Sequence, residues 1–574
     1  MDAAKEYRRW LEHPGHSEQD ARELQMLASR PEEIEERFGR ELEFGTGGMR
    51  GILGAGLNRM NVPMVRRVSH ALAKYVQENG GHLIVIGYDC RRMSRRFAEE
   101  AALAMAAVGI RASVSPVLCP TPELSFAVRH LKAGAGVMIT ASHNPPEYNG
   151  YKVYGADGGQ MLPEAVRAVS RYLPALEDIF SIPTLGAKEA EDSNMVVATA
   201  PEVRTAYLEA VLREAKMGVV QPADRQQLEV LYTPLHGTGA VPVREVLQLA
   251  GYTRASVFGP QAEADADFST VESPNPEEAE ALSMAMEAAA TAGVDVVLGT
   301  DPDADRVGIA VLEAPMQYRL LSGNQVGALL VDFVLRARQS AGTLPNDGVV
   351  FKTIVTSDLG ARIAKRHGVR VEDTLTGFKY IGARIRECEE SGTGTFLFGY
   401  EESYGYLLSD IVRDKDAVQS VLAICEMAAC YKAEGKSLLT ALDALQREYG
   451  YSAERMLNVT LPGEDGIRRM QRCMASLRTE AVEVPGISLA RFEDYLSQEA
   501  KNYGEGGSEV GSEPLTLPKA DVLKWIYEDE SWIAIRPSGT EPKLKVYVSA
   551  RATSEPQADS KAERMRRAIE TRIQ

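Results

Sequence analysis

HLIVIGYDCRRMSRRFAEEAALAMAAVGIRASVSP, residues 82–116, carries the pattern from which the fold is read. A β-branched apolar run comes first, then a polar turn, then a long stretch with apolar residues at helical spacing. Gly109 stands where a helix ending in a left-handed C-cap needs it, and a second apolar run follows. A strand, helix and strand of this length predict a right-handed parallel crossover. The grammar returns at residues 228–260, with Gly251 after the helix, and at residues 348–375, with Gly368. Three related α/β domains in a row are therefore expected, with mixed, mainly parallel sheets around a central cleft.

From about Gly450 the style changes to a strand (MLNVTL), a helix (GIRRMQRCMASLR), a late hairpin-like pair (WIAIRPSGTEPKLKVYVSA) and a charged closing helix. This predicts a smaller C-terminal α+β domain. A helical leader runs to about Arg40. The expected domains are 1–195, 196–318, 319–445 and 446–574. The polar, glycine-rich stretch NYGEGGSEVGSEPL, residues 502–515, reads as a mobile surface loop.

A chain of 574 residues suggests roughly four domains on length alone. The net charge of −17 argues against a nucleic-acid or membrane-surface partner, but not against a small anionic substrate. No apolar run approaches membrane-span length, and the first residues carry no secretory signal. Six scattered cysteines without zinc spacing read as thiols in a reducing compartment, so a cytoplasmic protein is expected. A monomer is the default expectation.

Four polar loops carry the chemistry. In VMITASHNPPEYNGYKVYGADGG, residues 137–159, Ser142 follows directly on an apolar strand, where α/β sheets place ligands. The string is not a G-x-S-x-G elbow, so a serine hydrolase is disfavoured. The Ser142 hydroxyl could carry a phosphoryl group, with His143 and Lys152 near it to orient the group and move protons. It could equally cap a turn that Pro145 and Pro146 hold open.

The second loop, VVLGTDPDADRVGIAV, alternates Asp301, Asp303 and Asp305 after another apolar run. Alternate residues of an extended segment share a side, so the carboxylates should converge. Three hard oxygen ligands point to Mg²⁺ or Mn²⁺. Arg306 adds a fixed cation suited to a phosphate. In the third loop, FGYEESYGYL, Glu401, Glu402 and Ser403 could accept and donate hydrogen bonds to sugar hydroxyls, or form a charged turn. The fourth, IRPSGTEPKLKVYV, groups Arg536, Ser538, Gly539 and Thr540 into an anion-binding nest, with Lys543 and Lys545 close behind.

TASHNPPEYNGYKVY, GTDPDADRVGIAV, YEESYG and RPSGTEPKLKVYV resemble, in this order, the four signature loops of the α-D-phosphohexomutases. FGTGGMRGILGAGLNRMN and TGFKYIG, residues 376–382, fit as well. The chain is most similar to the phosphoglucomutase branch, which also holds phosphopentomutases and glucose-1,6-bisphosphate synthases. The resemblance implies an enzyme interconverting glucose 1-phosphate and glucose 6-phosphate through a phosphoserine and a glucose 1,6-bisphosphate intermediate. Ser142 would carry the phosphoryl group, and one Mg²⁺ per chain would sit on Asp301, Asp303, Asp305 and a phosphoserine oxygen. His143 and Lys152 would assist proton transfer, while Arg50 and Arg306 would steady the phosphoryl group. Glu401 and Ser403 would hold sugar hydroxyls. Arg536, Ser538, Gly539 and Thr540 would hold the distal phosphate, and Lys352 and Lys379 would line the same cleft.

The sugar loop departs from the family's simplest form: Tyr400 stands at its first position and Tyr404 is inserted before Gly405. Other sugars remain open: pentose phosphates, mannose phosphates, or synthesis of the bisphosphate itself. A second reading takes Asp303-Ala304-Asp305-Arg306-Val307 as the D-x-D-x-[TV] string of a haloacid-dehalogenase-like phosphatase. That reading leaves Ser142 and the RPSGTEPK loop without a role. A third takes the chain as a sugar-phosphate sensor that never carries phosphate on Ser142.

Overall fold

The computed structural model describes residues 2–45, 47–461, 465–504, 507–538 and 543–573, with the backbone alone at Gln19. Its first sheet has six strands, in spatial order Gly48–Ile52, Tyr148–Gly155, Ala135–Ile139, Leu83–Tyr88, Arg111–Val114 and Val196–Ala198. The last four run parallel, and Tyr148–Gly155 is antiparallel to its neighbours on both sides. Ala135–Ile139 is buried at every position, as a central strand with helices on both faces requires. Gly109, Gly251 and Gly368 all have positive φ at their helix ends, as their spacing implied.

The second sheet orders Gln317–Leu320, Val307–Ala314, Val296–Thr300, Val230–Thr233 and Ala255–Val257. The third orders Arg370–Thr374, Gly348–Thr353, Thr395–Tyr400 and Tyr406–Leu407. In both, parallel pairs make up one side of the sheet and antiparallel pairs the other. The fourth sheet is antiparallel throughout: seven strands, backed by the helices Gly466–Thr479 and Glu555–Ile573.

The helix Ala417–Ala433 is buried almost all round, the mark of an internal helix. It packs on Pro201–Ala215 and Ala240–Ala250, so the second and third domains share one continuous core. A buried ion pair, Arg225 Nε to Glu426 Oε1 at 2.5 Å, lies in that seam, with the Tyr252 hydroxyl donating to the same oxygen at 2.8 Å. The fourth domain keeps its own core and meets the third through Ile354, Val355 and Leu375 against Tyr495, Val522 and Trp532. Three leader helices pack Trp10, Leu24 and Phe38 against Leu57 and Met64 of the first domain.

The structure moves several sequence-derived limits. Val196–Ala198 pairs with Arg111–Val114, so the first sheet runs past residue 195. Gln317–Leu320 pairs with Val307–Ala314 and straddles the limit set at 318/319. The limit at 445/446 falls inside the helix Leu438–Tyr449. The two edge strands are only three and four residues long, which leaves little periodicity to read. Most of the stretch 502–515 is not a loop: it lies in the hairpin of Glu499–Tyr503 with Glu509–Pro514. The second strand of that hairpin is exposed at all six positions, so no apolar alternation announced it.

Candidate active site

The strand Ala135–Ile139 ends three residues before Ser142, whose φ of +53° turns the chain sharply where the strand stops. The Ser142 amide donates to Thr140 Oγ1 at 2.9 Å, which stabilises the turn. Its hydroxyl donates to Asp301 Oδ2 at 2.7 Å, and His143 Nδ1 lies 3.3 Å from Oγ. The side chain therefore points across the seam between the first and second domains. It does more than cap its own turn.

Asp301, Asp303 and Asp305 come together, but not by strand alternation. Val296–Thr300 ends before Asp301, and Ala304 takes a φ of +52° in a tight turn. Within that turn Asp301 Oδ1 accepts the amides of Asp305 and Arg306, each at 3.0 Å. One oxygen from each carboxylate lies within 4.8 Å of the others, and all three residues are buried. Asp303 Oδ1 and Asp305 Oδ1 are buried without a hydrogen-bond partner among the described residues. Orphaned oxygens in a buried cluster of three carboxylates fit a hard divalent cation, which would supply the missing charge.

Lys152 Nζ reaches Asp303 Oδ2 at 2.7 Å and Asp305 Oδ2 at 3.3 Å. Thr121 Oγ1 donates to the same Asp303 oxygen at 2.7 Å. Burial pushes Asp303 up, but Lys152 and these hydrogen bonds outweigh it and hold the carboxyl below its usual range. Asp301 goes the other way: burial and the charges of Asp305 and Asp303 drive it well up. Three carboxylates so close cannot all ionise without cations around them.

Arg306 pairs with Glu277, and Arg50 Nη1 donates to Asn144 Oδ1 at 2.9 Å, which brings Arg50 over the Ser142 loop. The loop of Glu401 to Tyr404 joins the loop of the three aspartates directly, because the Val307 amide donates to Tyr404 O at 3.1 Å. Glu401 Oε1 accepts the Gly377 amide at 3.1 Å, a contact that the φ of +114° at Gly377 makes available. Burial pushes Glu401 up to about 7 against the pull of Lys415. Glu402 turns away to Thr353 and Thr356, so the two glutamates face different partners. Ser403 is half-buried in the same turn.

Tyr400 is buried in the core that the second and third domains share, and Tyr404 sends its hydroxyl to Leu321 O at 3.0 Å. Neither ring is free to read a sugar, so the two departures from the simplest loop are structural.

Lys379 sits in the first turn of the helix Phe378–Ser391, beside Gly377, and burial lowers it to about 8. In the fourth domain, Arg536 donates to the Tyr547 hydroxyl at 3.1 Å, and the Ser538 amide bonds Lys543 O at 2.7 Å. Gly539 and Thr540 lie outside the described residues.

Lys352 corrects an expectation. It is 1% exposed, and its ammonium lies 3.0 Å from Asp358 Oδ1 and 2.9 Å from Asp373 Oδ1. Lys524 of the fourth domain bonds Ile354 O beside it at 2.7 Å, and the Trp532 indole donates to Asp358 at 3.0 Å. Lys352 thus belongs to the junction of the third and fourth domains and not to a substrate surface.

One residue was missed. Lys415 Nζ lies 3.1 Å from Asp305 Oδ2 and 3.2 Å from Asp414 Oδ1, with the Glu401 carboxylate close by. The string DKDAV, residues 414–418, holds it just before a helix whose N-cap is Asp416. The cap was legible; the direction of the lysine was not.

A serine, three carboxylates, two lysines and two arginines from three domains make a centre for transferring a highly charged group. The chain matches the phosphoglucomutase/phosphomannomutase family in four successive stretches: alpha/beta/alpha domain I over residues 41–178, domain II over 205–313, domain III over 322–449 and the C-terminal domain over 458–568. It belongs to that family. A phosphoglucomutase of Staphylococcus epidermidis is 39% identical over 520 residues, covering 90% of this chain and 92% of that protein. One of Staphylococcus haemolyticus is 38% identical over 517 residues, covering 90% and 91%.

Among solved structures, parafusin (a phosphoglucomutase) from Paramecium in its open form gives a TM-score of 0.69 at 16% identity, over 92% of this chain and 94% of that one. The N-acetylphosphoglucosamine mutase of Aspergillus fumigatus, solved with GlcNAc-6P and magnesium, gives 0.51 at 14% identity over 93% and 97%. At those identities the likeness establishes the fold alone.

Proposed function

We propose that this chain is a phosphoglucomutase that interconverts glucose 1-phosphate and glucose 6-phosphate, with Ser142 as the phosphoryl carrier. The observation that carries the reading is the Ser142 hydroxyl on Asp301 Oδ2, which sets the carrier against the carboxylate cluster. Phosphoryl transfer depends on positioning and charge neutralisation more than on covalent assistance.

Phosphorylated Ser142 gives its phosphoryl group to one hydroxyl of the bound sugar monophosphate, and the Ser142 oxygen leaves. The resulting glucose 1,6-bisphosphate turns end for end and returns its other phosphate to Ser142. Asp301, Asp303 and Asp305 would hold Mg²⁺ together with the phosphoserine; when bound, the ion neutralises charge on the transferring group. Lys152 and His143 serve the proton movements at the Ser142 oxygen. Arg50 and Arg306 steady the group in transit. Glu401 and Ser403 hold sugar hydroxyls, while Lys379, Arg536 and Ser538 hold the phosphate that is not reacting.

The described residues include no helix long and apolar enough to cross a membrane. All six cysteines are free thiols, which suits a reducing cytoplasm.

The test compares kcat/KM for the 1-phosphates of glucose, mannose and ribose, each with Mg²⁺ and its bisphosphate. Glucose 1-phosphate should lead. A higher value for ribose 1-phosphate would replace this reading with a phosphopentomutase on the same scaffold. Net accumulation of the bisphosphate from an acyl phosphate donor would replace it with a bisphosphate synthase.

A further inference from the structure

We propose that Arg91 is a positioning residue for phosphoryl transfer at Ser142, holding the carrier loop from beneath while touching no substrate. The proposal rests on the reading of Ser142 as the phosphoryl carrier.

Arg91 is 3% exposed, and its two terminal nitrogens carry four N–H groups. Each of the four meets a backbone carbonyl of the 142–148 loop. Nη1 donates to Pro145 O at 2.8 Å and Tyr148 O at 3.1 Å; Nη2 donates to Ser142 O at 2.6 Å and also to Asn144 O. A turn that puts a non-glycine residue at φ +53° is strained and persists only where its surroundings over-determine it. The planar guanidinium does that here, because one rigid group fixes four carbonyls at once.

Arg91 is itself fixed on both sides. Its Nε lies 3.3 Å from Asp89 Oδ2, and Asp89 Oδ1 accepts the Arg91 amide at 3.0 Å and the Ser94 hydroxyl at 2.7 Å. From the second domain, the fully buried Phe268 ring covers the guanidinium, with its centroid 4.8 Å from Cζ. The same stretch of the second domain supplies Thr270, which bonds His236 Nε2 at 2.8 Å. Two residues on, the Thr238 amide donates to Pro302 O, inside the carboxylate loop, at 2.8 Å. Arg91 therefore sits where the carrier loop and the metal loop are referenced to each other. A lysine would keep the charge, but its three donors diverge from one point and cannot reproduce the fork.

The experiment uses the full chain as wild type, Arg91→Lys and Phe268→Leu. Each is loaded with glucose 1,6-bisphosphate, and phosphate on the Ser142 peptide is measured by mass spectrometry. Thermal melting, kcat and KM for glucose 1-phosphate are then taken at equal occupancy. A misplaced reacting atom costs on the order of 100-fold, so Arg91→Lys should lose about that much kcat with KM changed only a few-fold. Phe268→Leu should move kcat in the same direction by a smaller factor, and it carries the test if Arg91→Lys does not fold. Wild-type kcat in a loaded, folded variant overturns the proposal, because a merely structural role would lower the melting temperature and leave kcat alone. If wild type takes no phosphate on Ser142, the carrier reading fails first and the positioning role goes with it.

Discussion

Lys415 Nζ of the third domain and Lys152 Nζ of the first both reach Asp305 Oδ2 of the second, at 3.1 Å and 3.3 Å. One carboxylate oxygen therefore ties three domains together at the place where the phosphoryl group is proposed to move. A cation fixed so close to the transferring group acts on its developing charge, and losing one such stabiliser typically costs about 10²–10³ in kcat. Lys415→Met is expected to fall in that range while still melting cooperatively. A variant with near-normal kcat would assign Lys415 to interdomain packing alone.

The orphaned oxygens of Asp303 and Asp305 give a prediction that does not depend on turnover. Mg²⁺ at a hundred times its dissociation constant should stabilise the fold by about 2.7 kcal/mol, since it binds the native state only. The shift in melting temperature should vanish in Asp303→Asn. Equal shifts in both proteins would mean that the cation binds elsewhere.

Lys379, proposed above to hold the phosphate that is not reacting, should set an alkaline limit. Burial lowers it to about 8, so it is an ammonium below that pH and neutral above it. A neutral amine cannot pair with the substrate phosphate, so kcat/KM should decline as pH rises through about 8. Lys379→Arg stays charged and should remove this limb of the profile. An unchanged limb in the arginine variant would place the titration on another group.

Lys352 separates stability from substrate binding. Its ammonium is buried between Asp358 and Asp373, which are themselves partly open to water. Lys352→Met should cost about 1–3 kcal/mol by leaving charges unpaired, a range kept low by that exposure. KM for glucose 1-phosphate should stay within a few-fold of wild type. A large rise in KM with unchanged melting would return Lys352 to the substrate surface.

The strands of the architecture were legible wherever a short apolar run was bounded by turn residues. Ala135–Ile139, Val296–Thr300 and Gly348–Thr353 are buried at every position, and such runs read as central strands without help. Edges were not legible: Gln317–Leu320 and Glu509–Pro514 have little apolar surface to bury and so no pattern.

At the site, the chemistry of Ser142 and the three aspartates could be read from residue types. The route by which the aspartates meet could not, because it depends on one left-handed residue, Ala304. Lys352 and Lys415 show the remaining gap. Both are buried lysines beside two aspartates, and only the packing of whole domains decides which faces the catalytic seam.

The most direct test is phosphorus NMR of the purified chain with Mg²⁺, glucose 1-phosphate and a trace of glucose 1,6-bisphosphate, run beside Ser142→Ala. The account predicts a growing glucose 6-phosphate signal without inorganic phosphate in the wild type, and none in the variant. Inorganic phosphate released by both proteins would contradict it and favour a hydrolase built on Asp303.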